Sequence, residues 1–515
     1  MSELTRPHPL DCYTPVGDLA LSVRWLLRRA LLPLLILFVG ETGILFIGDS
    51  RGAMAFGLIS TGTLAILVIW QTSGLGLPLL PLIALQNLLV YGLPIAINHE
   101  VLAAYPAAMT TRAGVEVFCF SCALVVAWLV GMEAFVPASP VSYALEAFRQ
   151  EGTRRLKRLG FTLIVFASVY QLLLALDLLT VVYGFLPDGL YSIVQALVSA
   201  AGVCGFFLVS MFVGTGAISP VGRVAFWVLL AVNCLISAAT FLLSATTAIL
   251  AAALIGLFWS TGRPPWRYLL IVSCLLGFLN VGKVTMRERY WSAEGDLSVS
   301  LTLTQLPVIY GEWVQASYEA ITPRSGADTI MQGGDPSRKT QSLLERINNL
   351  QNLLFVIDSL ETAHVTPLHG ATYTLIPPLL VPRLFWPEKP RTHEGQVLLN
   401  VHFGRQELTS TYQTYIAWGL LPEALGNFGE IYGGLMLGAV LGLLCAWLEN
   451  FTARKLLLSL EGFISFTILL FMASSFEMVA SVLVTTIFQS VMLLIVASAF
   501  FVERTLLKRP ESRPS

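Results

Sequence analysis

Charge is what this chain has least of. Only 12% of its 515 residues are Asp, Glu, Lys or Arg, against roughly 25% in an average soluble protein. With 55% hydrophobic residues, this scarcity excludes a single water-soluble core, because too few polar side chains remain to cover the apolar ones. Apolar runs near the 20 residues that cross a hydrocarbon layer recur along the chain. The expected fold class is therefore an all-α polytopic membrane protein. The net charge of −1 says little, since the cations are sorted by position along the chain.

Other absences narrow the reading. The seven cysteines fall in or beside apolar runs or near the N-terminus, and none lies in the long polar segment at 284–426, which excludes a disulfide framework there. Cys119 and Cys122 read as small apolar residues of one helix. The polar segment has no dense Asp cluster and no His/Cys spacing suited to a metal, so no metal and no other cofactor is expected. No internal repeat is visible. About thirty polar or mixed residues precede the first apolar run and no clean cleavage site follows it, so that run reads as an uncleaved span.

Apolar runs and their breakers predict about twelve spans, near 30–48, 53–71, 76–98, 113–135, 161–183, 190–214, 223–243, 245–260, 266–283, 427–449, 456–475 and 479–502. Alternating them collects the short-loop cations Arg24, Arg28, Arg29, Arg154, Arg155, Lys157, Arg158, Arg263, Arg267, Arg454 and Lys455 on one side. By the positive-inside rule that side is the cytoplasm, with both termini there. The chain divides into a membrane region at 1–283, an external loop at 284–426, a second membrane region at 427–503 and a cytoplasmic tail at 504–515. Glu41 and Asp177 fall inside spans and read as structurally paired acids.

Within the loop, a helix is expected to start with Asp335 as N-cap and Pro336 at the first helical position. Leu343, Ile347, Leu350, Leu354 and Ile357 recur at helical spacing as one apolar stripe, with Arg346 at its edge. Further on comes "LIPPLLVPRLFWPEKPRTHEG", residues 375–395. Pro377, Pro378 and Pro382 remove backbone donors, and such backbone survives at membrane depth only inside protein or beside a wet cavity. A re-entrant or interfacial segment is therefore expected to deliver Arg383, Trp386, Lys389 and Arg391 to the outer face. Clustered guanidinium groups there suit a phosphate or carboxylate ligand; the alternative is snorkelling cations that touch lipid headgroups. The tryptophan either anchors the segment in lipid or offers a flat face to a sugar.

Two segments carry a family resemblance. Residues 381–390, "VPRLFWPEKP", and 422–429, "PEALGNFG", resemble the proline-tryptophan and P-E-x-x-x-N-F-G motifs of Wzy-type oligosaccharide repeat-unit polymerases, the O-antigen polymerase group. His369 to Tyr373 is similar to that family's lead-in, and the resemblance covers about residues 340–450. It implies a GT-C-like glycosyltransferase that extends glycans on undecaprenyl pyrophosphate at the periplasmic face of the bacterial inner membrane. The lipid-linked oligosaccharide and membrane lipid would be its partners, with a flippase and a chain-length regulator of the same pathway beside it, and no nucleic acid.

Negative charge grows on a pyrophosphate leaving group, and preorganised cations stabilise it. Arg383 and Arg346 are the expected catalytic cations. Lys389, Arg391, Arg405, Trp386, His369 and Tyr373 are expected to bind substrate, by metal-independent transfer. Glu423 is expected either as general base or as a cap on the helix that follows it. A ligase moving finished glycan, or a transporter or flippase, are the rival readings.

Overall fold

The structure, a computed structural model, describes residues 16–48, 52–135, 151–176, 178–179, 188–241, 243–290, 305–322, 348–381, 385–386, 388–412, 416–455, 460–473 and 475–506. Among them every regular element is helical. In chain order these are α1 (Val16–Ile47), α2 (Ala53–Ser73), α3 (Leu79–Ala96), α4 (Ala107–Ala134), α5 (Glu151–Ala175), α6 (Asp188–Gly214), α7 (Pro220–Ala238), α8 (Leu243–Thr261) and α9 (Trp266–Tyr290). Then follow α10 (Leu306–Ile321), α11 (Leu350–Glu361), α12 (Ile376–Leu380), α13 (Glu394–His402), α14 (Leu420–Phe428), α15 (Tyr432–Thr452), α16 (Leu460–Ala473) and α17 (Ala480–Leu506).

Each expected span overlaps a helix. Among the described residues eight helices are long and apolar enough to cross a membrane, while Ala245–Thr261, Leu460–Ala473 and Ala480–Met492 are apolar but shorter. The chain is thus all-α and consistent with a multi-pass membrane protein.

Several boundaries differ from the hydropathy reading, each for a local reason. Helix α1 begins at Val16, ahead of the apolar run, because its polar first half has its own anchor. Arg24 donates to the carbonyls of Gln71 at 2.8 Å, Thr72 at 2.9 Å and Gly74 at 3.3 Å, satisfying acceptors that the end of α2 leaves open. The span expected at 427–449 is two helices, α14 and α15, since Gly429 (φ 81°) and Ile431 (φ 65°) turn the chain through the left-handed region. The helix expected from Asp335 is helical from Leu350 onward, with Asn348 and Asn349 outside it; asparagine favours turns over helix interiors. Asp335, Leu343, Arg346 and Ile347 lie outside the described residues. Pro377 and Pro378 open the short helix α12 at its first positions rather than breaking a helix, because N-terminal turns need no donor there.

Helices α5–α10 form one compact unit, and α1–α4 with α11–α17 form a second. These limits do not coincide with the division at 283/284 and 426/427. In the first unit, α9 runs on to Tyr290 and α10 packs against it. Their shared core holds Leu279, Met286, Ile309 and fully buried Trp313, whose indole donates to the Leu279 carbonyl at 2.7 Å.

The second unit is built around α4 and α15. Gly434, Gly438 and Gly442 make a ridge at four-residue spacing on α15. A Cβ at Gly434 would sit 3.1 Å from the Glu116 carbonyl oxygen, and one at Gly438 or Gly442 would overlap the carbonyl of Phe120 or Leu124 on α4. Ala123 and Ala127 of α4 complete the contact. Small residues of this kind let two backbones approach where lipid supplies no hydrophobic drive for association.

Candidate functional site

The His369–Tyr373 lead-in and the 422–429 motif are some fifty residues apart in sequence, yet they pack as one piece. Between α11 and α12 the chain forms a strap at 362–375. Its Leu368 amide donates to the Gly426 carbonyl at 3.0 Å and its His369 amide to the Asn427 carbonyl at 2.8 Å, closing acceptors at the end of α14. His369 (φ 50°) and Gly370 (φ 88°) make the required left-handed turn, a conformation that is uncommon for a residue with a side chain. The Tyr373 ring then stacks on Phe428, centroids 5.7 Å apart and nearly parallel.

Beneath the strap lies a polar knot. Glu423 is fully buried. Its carboxylate accepts from the Thr372 hydroxyl at 2.7 Å and from the Ala480 amide at 2.6 Å. Asn427 donates to the Thr372 hydroxyl and to the Glu423 carbonyl, both at 2.8 Å. Glu423 therefore does cap a helix, but its partner is the start of α17, not the helix that follows it in sequence. Both of its oxygens are engaged.

Burial pushes the Glu423 carboxyl up from 4.5 to about 7, against the pull of the Ala480 and Thr372 donors. Because the folded value lies above the unfolded one, the support this group gives the fold is complete below the unfolded value and is lost as pH rises through about 7. The difference corresponds to about 3 kcal/mol at high pH. Glu423→Gln keeps the shape without the charge. It should flatten the decline of the thermal unfolding midpoint in detergent between about pH 5 and 8; a decline as steep as in the parent would remove Glu423 from this role.

The sequence-expected cations have separate environments. Lys389 is buried, and its ammonium donates to the carbonyls of Leu379 at 2.8 Å and Val381 at 2.6 Å, so it staples the loop after α12. Arg391 is half-buried and paired with Glu394 at 3.1 Å. Arg405 donates to the Asn352 side chain at 2.7 Å and lies over the Phe355 ring, 5.0 Å from its centroid. Burial lowers the guanidinium from its usual value, while Tyr105 raises it. Burial and neighbouring Asp358 raise the Tyr105 hydroxyl. Asn352 also holds the 417–418 backbone, donating to both carbonyls at 3.0 Å. Arg405 thus stands on a built seat. Phe385 and Trp386 are exposed, and His369 is exposed on the strap. Arg383 and Arg346 lie outside the described residues.

Acids that hydropathy reading passed over organise the same unit. Glu116, buried in α4, accepts from the Ile431 amide at the start of α15. Glu449, buried in α15, accepts from the amides of Leu75 at 2.6 Å and Gly76 at 3.2 Å. It also accepts from the indoles of Trp70 at 3.3 Å and Trp128 at 2.9 Å. An acid inside an apolar run is the sequence signal that marks such residues; it singled out Glu41 and Asp177 but applied equally to these two. At the N-terminal end of α4, Arg112 pairs with Glu361 at 2.6 Å and stands 3.7 Å from Glu430.

Among the described residues no three His, Cys, Asp or Glu side chains group as metal ligands. No family model, curated protein or solved structure matches the chain. The functional reading therefore rests on the motifs and on this geometry.

Proposed function

We propose that the chain is a membrane glycosyltransferase that polymerises undecaprenyl pyrophosphate-linked oligosaccharide repeat units into a surface polysaccharide at the periplasmic face of the bacterial inner membrane. The observation that supports the reading is the joining of the His369–Tyr373 lead-in to the 422–429 motif by the 368–426 and 369–427 backbone bonds and the Thr372–Glu423–Asn427 knot. Next to them, the seated Arg405 supplies a cation in a half-buried setting.

In the reaction, the hydroxyl oxygen of the acceptor sugar attacks the anomeric carbon of the donor glycan. The bond from that carbon to the pyrophosphate oxygen breaks, and the lipid pyrophosphate leaves with the electron pair. Arg405, with Arg383 and Arg346, stabilises the charge that grows on it. The acceptor's proton goes to a base, a role we give to exposed His369, an imidazole being suited to it. Buried Glu423 acts as a positioning residue, holding strap, α14 and α17 in register. A GT-C-like architecture, a flippase and a chain-length regulator belong to the same proposal.

The test is the polysaccharide profile on a gel from cells whose own copy is replaced. Arg383→Ala and Arg405→Ala should each leave single-repeat products, since losing one such charge-stabilising donor slows a transfer step by roughly 10²–10³. Normal long-chain polymer from both variants at equal protein abundance would overturn the assignment. Unligated long chains in the deletion strain would identify a ligase instead. Transbilayer movement of lipid-linked sugar without a longer product would identify a flippase.

A further inference from the structure

Helix α3 is not an α-helix along its whole length. Between Leu88 and Gly92 it widens into a π-turn, and the Leu93 amide donates back to the Leu88 carbonyl. Such turns are rare and are frequent at functional sites. In a membrane-spanning helix the backbone groups they displace are satisfied again by neighbouring side chains or ordered water. Against this turn the second unit holds a cavity of about 50 Å³. Its wall is mostly apolar and is drawn from α3, α4, α14, α15 and α16, with Leu420 and Leu421 placing the first turn of α14 on it. Four polar side chains interrupt that wall: Gln86, Asn87, Tyr91 and Ser475.

Asn87 is the residue that demands an occupant. It is 7% exposed, and its amide nitrogen is buried with no acceptor among the described residues. Buried polar groups of native proteins almost always have a partner, in protein or in water. Gln86 and Ser475 both reach the Met472 carbonyl, Gln86 through its amide nitrogen and Ser475 through its hydroxyl at 2.8 Å, so each keeps an oxygen able to accept. An occupant must therefore accept from Asn87, donate to these oxygens and fit among leucines. A lipid chain does neither of the first two. Water does both, and the volume suffices for about three molecules at the roughly 15 Å³ that each requires.

We propose that this cavity is a hydration site, in which a small cluster of ordered water held by Asn87, Gln86 and Ser475 makes a wet joint between the π-turn of α3 and the start of α14. The inference uses only the packing of the second unit and is independent of the transfer reaction.

Hydroxyl radicals made from water by a short X-ray pulse oxidise the side chains that touch that water, which turns a buried methionine into a local probe. The full chain is reconstituted in nanodiscs of phosphatidylethanolamine and phosphatidylglycerol and irradiated, and the oxidation of each methionine is read by mass spectrometry. Met472 lines the cavity and is 6% exposed. Met286, fully buried in the apolar cluster of α9 and α10, is the dry reference. Met472 should be oxidised where Met286 is not, and Asn87→Leu, which removes the carboxamide, should abolish the difference. Equal oxidation of the two methionines in the parent, the result expected of an apolar chain in the cavity, would overturn the proposal without any variant having to fold. So would undiminished oxidation of Met472 in Asn87→Leu protein that elutes as a monodisperse peak.

Discussion

Gly438→Leu is expected to abolish the folded protein. The position for a Cβ at Gly438 overlaps the Phe120 carbonyl, and 2.9 Å away lies the Ala123 methyl. Backbone cannot swing aside as a flexible side chain does, so α15 must move away from α4 along its length. Overpacking of a well-packed core typically costs about 1–3 kcal/mol and occasionally more. Here the separation also breaks the Glu116–Ile431 bond and withdraws Glu449 from its four donors, which places the total above that range. The measurement is the monodisperse fraction of a fluorescent fusion extracted in mild detergent. Val440→Leu, at a 62% exposed position on the same helix, should behave as the parent. A normal monodisperse peak for Gly438→Leu would mean that the α4–α15 contact does not hold the unit together.

Glu449→Ala is expected to be nearly as severe by a different route. It strands two amides and two indole N–H groups, all gathered on one carboxylate. Each buried donor left without an acceptor costs about 1–3 kcal/mol, and since the four losses are not additive the net is on the order of 4 kcal/mol. Glu449→Gln keeps one accepting oxygen and places an N–H₂ against a donor, so it should fall between. Thermal unfolding in detergent gives the order parent, Gln, Ala. An unfolding midpoint for Glu449→Ala equal to that of the parent would remove the clamp from the account of stability.

How far the sequence led can be judged from these residues. Helices such as Ala53–Ser73, expected at 53–71, are legible because apolar composition and span length are properties of a local window. Helix ends are less so: the break between α14 and α15 depends on φ angles at Gly429 and Ile431, and isoleucine gives no warning of a left-handed turn. Helix α10 lies inside the segment expected as an external loop, where no apolar run of span length marks it. Of the site, the motif segments are legible in the sequence, but the bonding of the His369–Tyr373 lead-in to the 422–429 motif is not, since nothing in a linear string ties the amide of His369 to the carbonyl of Asn427. Charge alone misplaced Lys389: a lysine in a cationic stretch suggests an outward-facing group, whereas this ammonium is turned onto the carbonyls of Leu379 and Val381. Arg405 owes its setting to Asn352, a residue more than fifty positions away that no pattern singled out.

The bond from Glu116 to Ile431 joins residues 315 positions apart, and every residue of α5–α10 is made between them. At the usual 5–20 residues per second of synthesis, α4 waits about 15 to 60 s before α15 exists. Through that interval the carbonyls of Phe120 and Leu124 await the glycine ridge that they meet in the finished fold. That ridge is therefore supplied late in the chain, with only α16 and α17 of the same unit made after it.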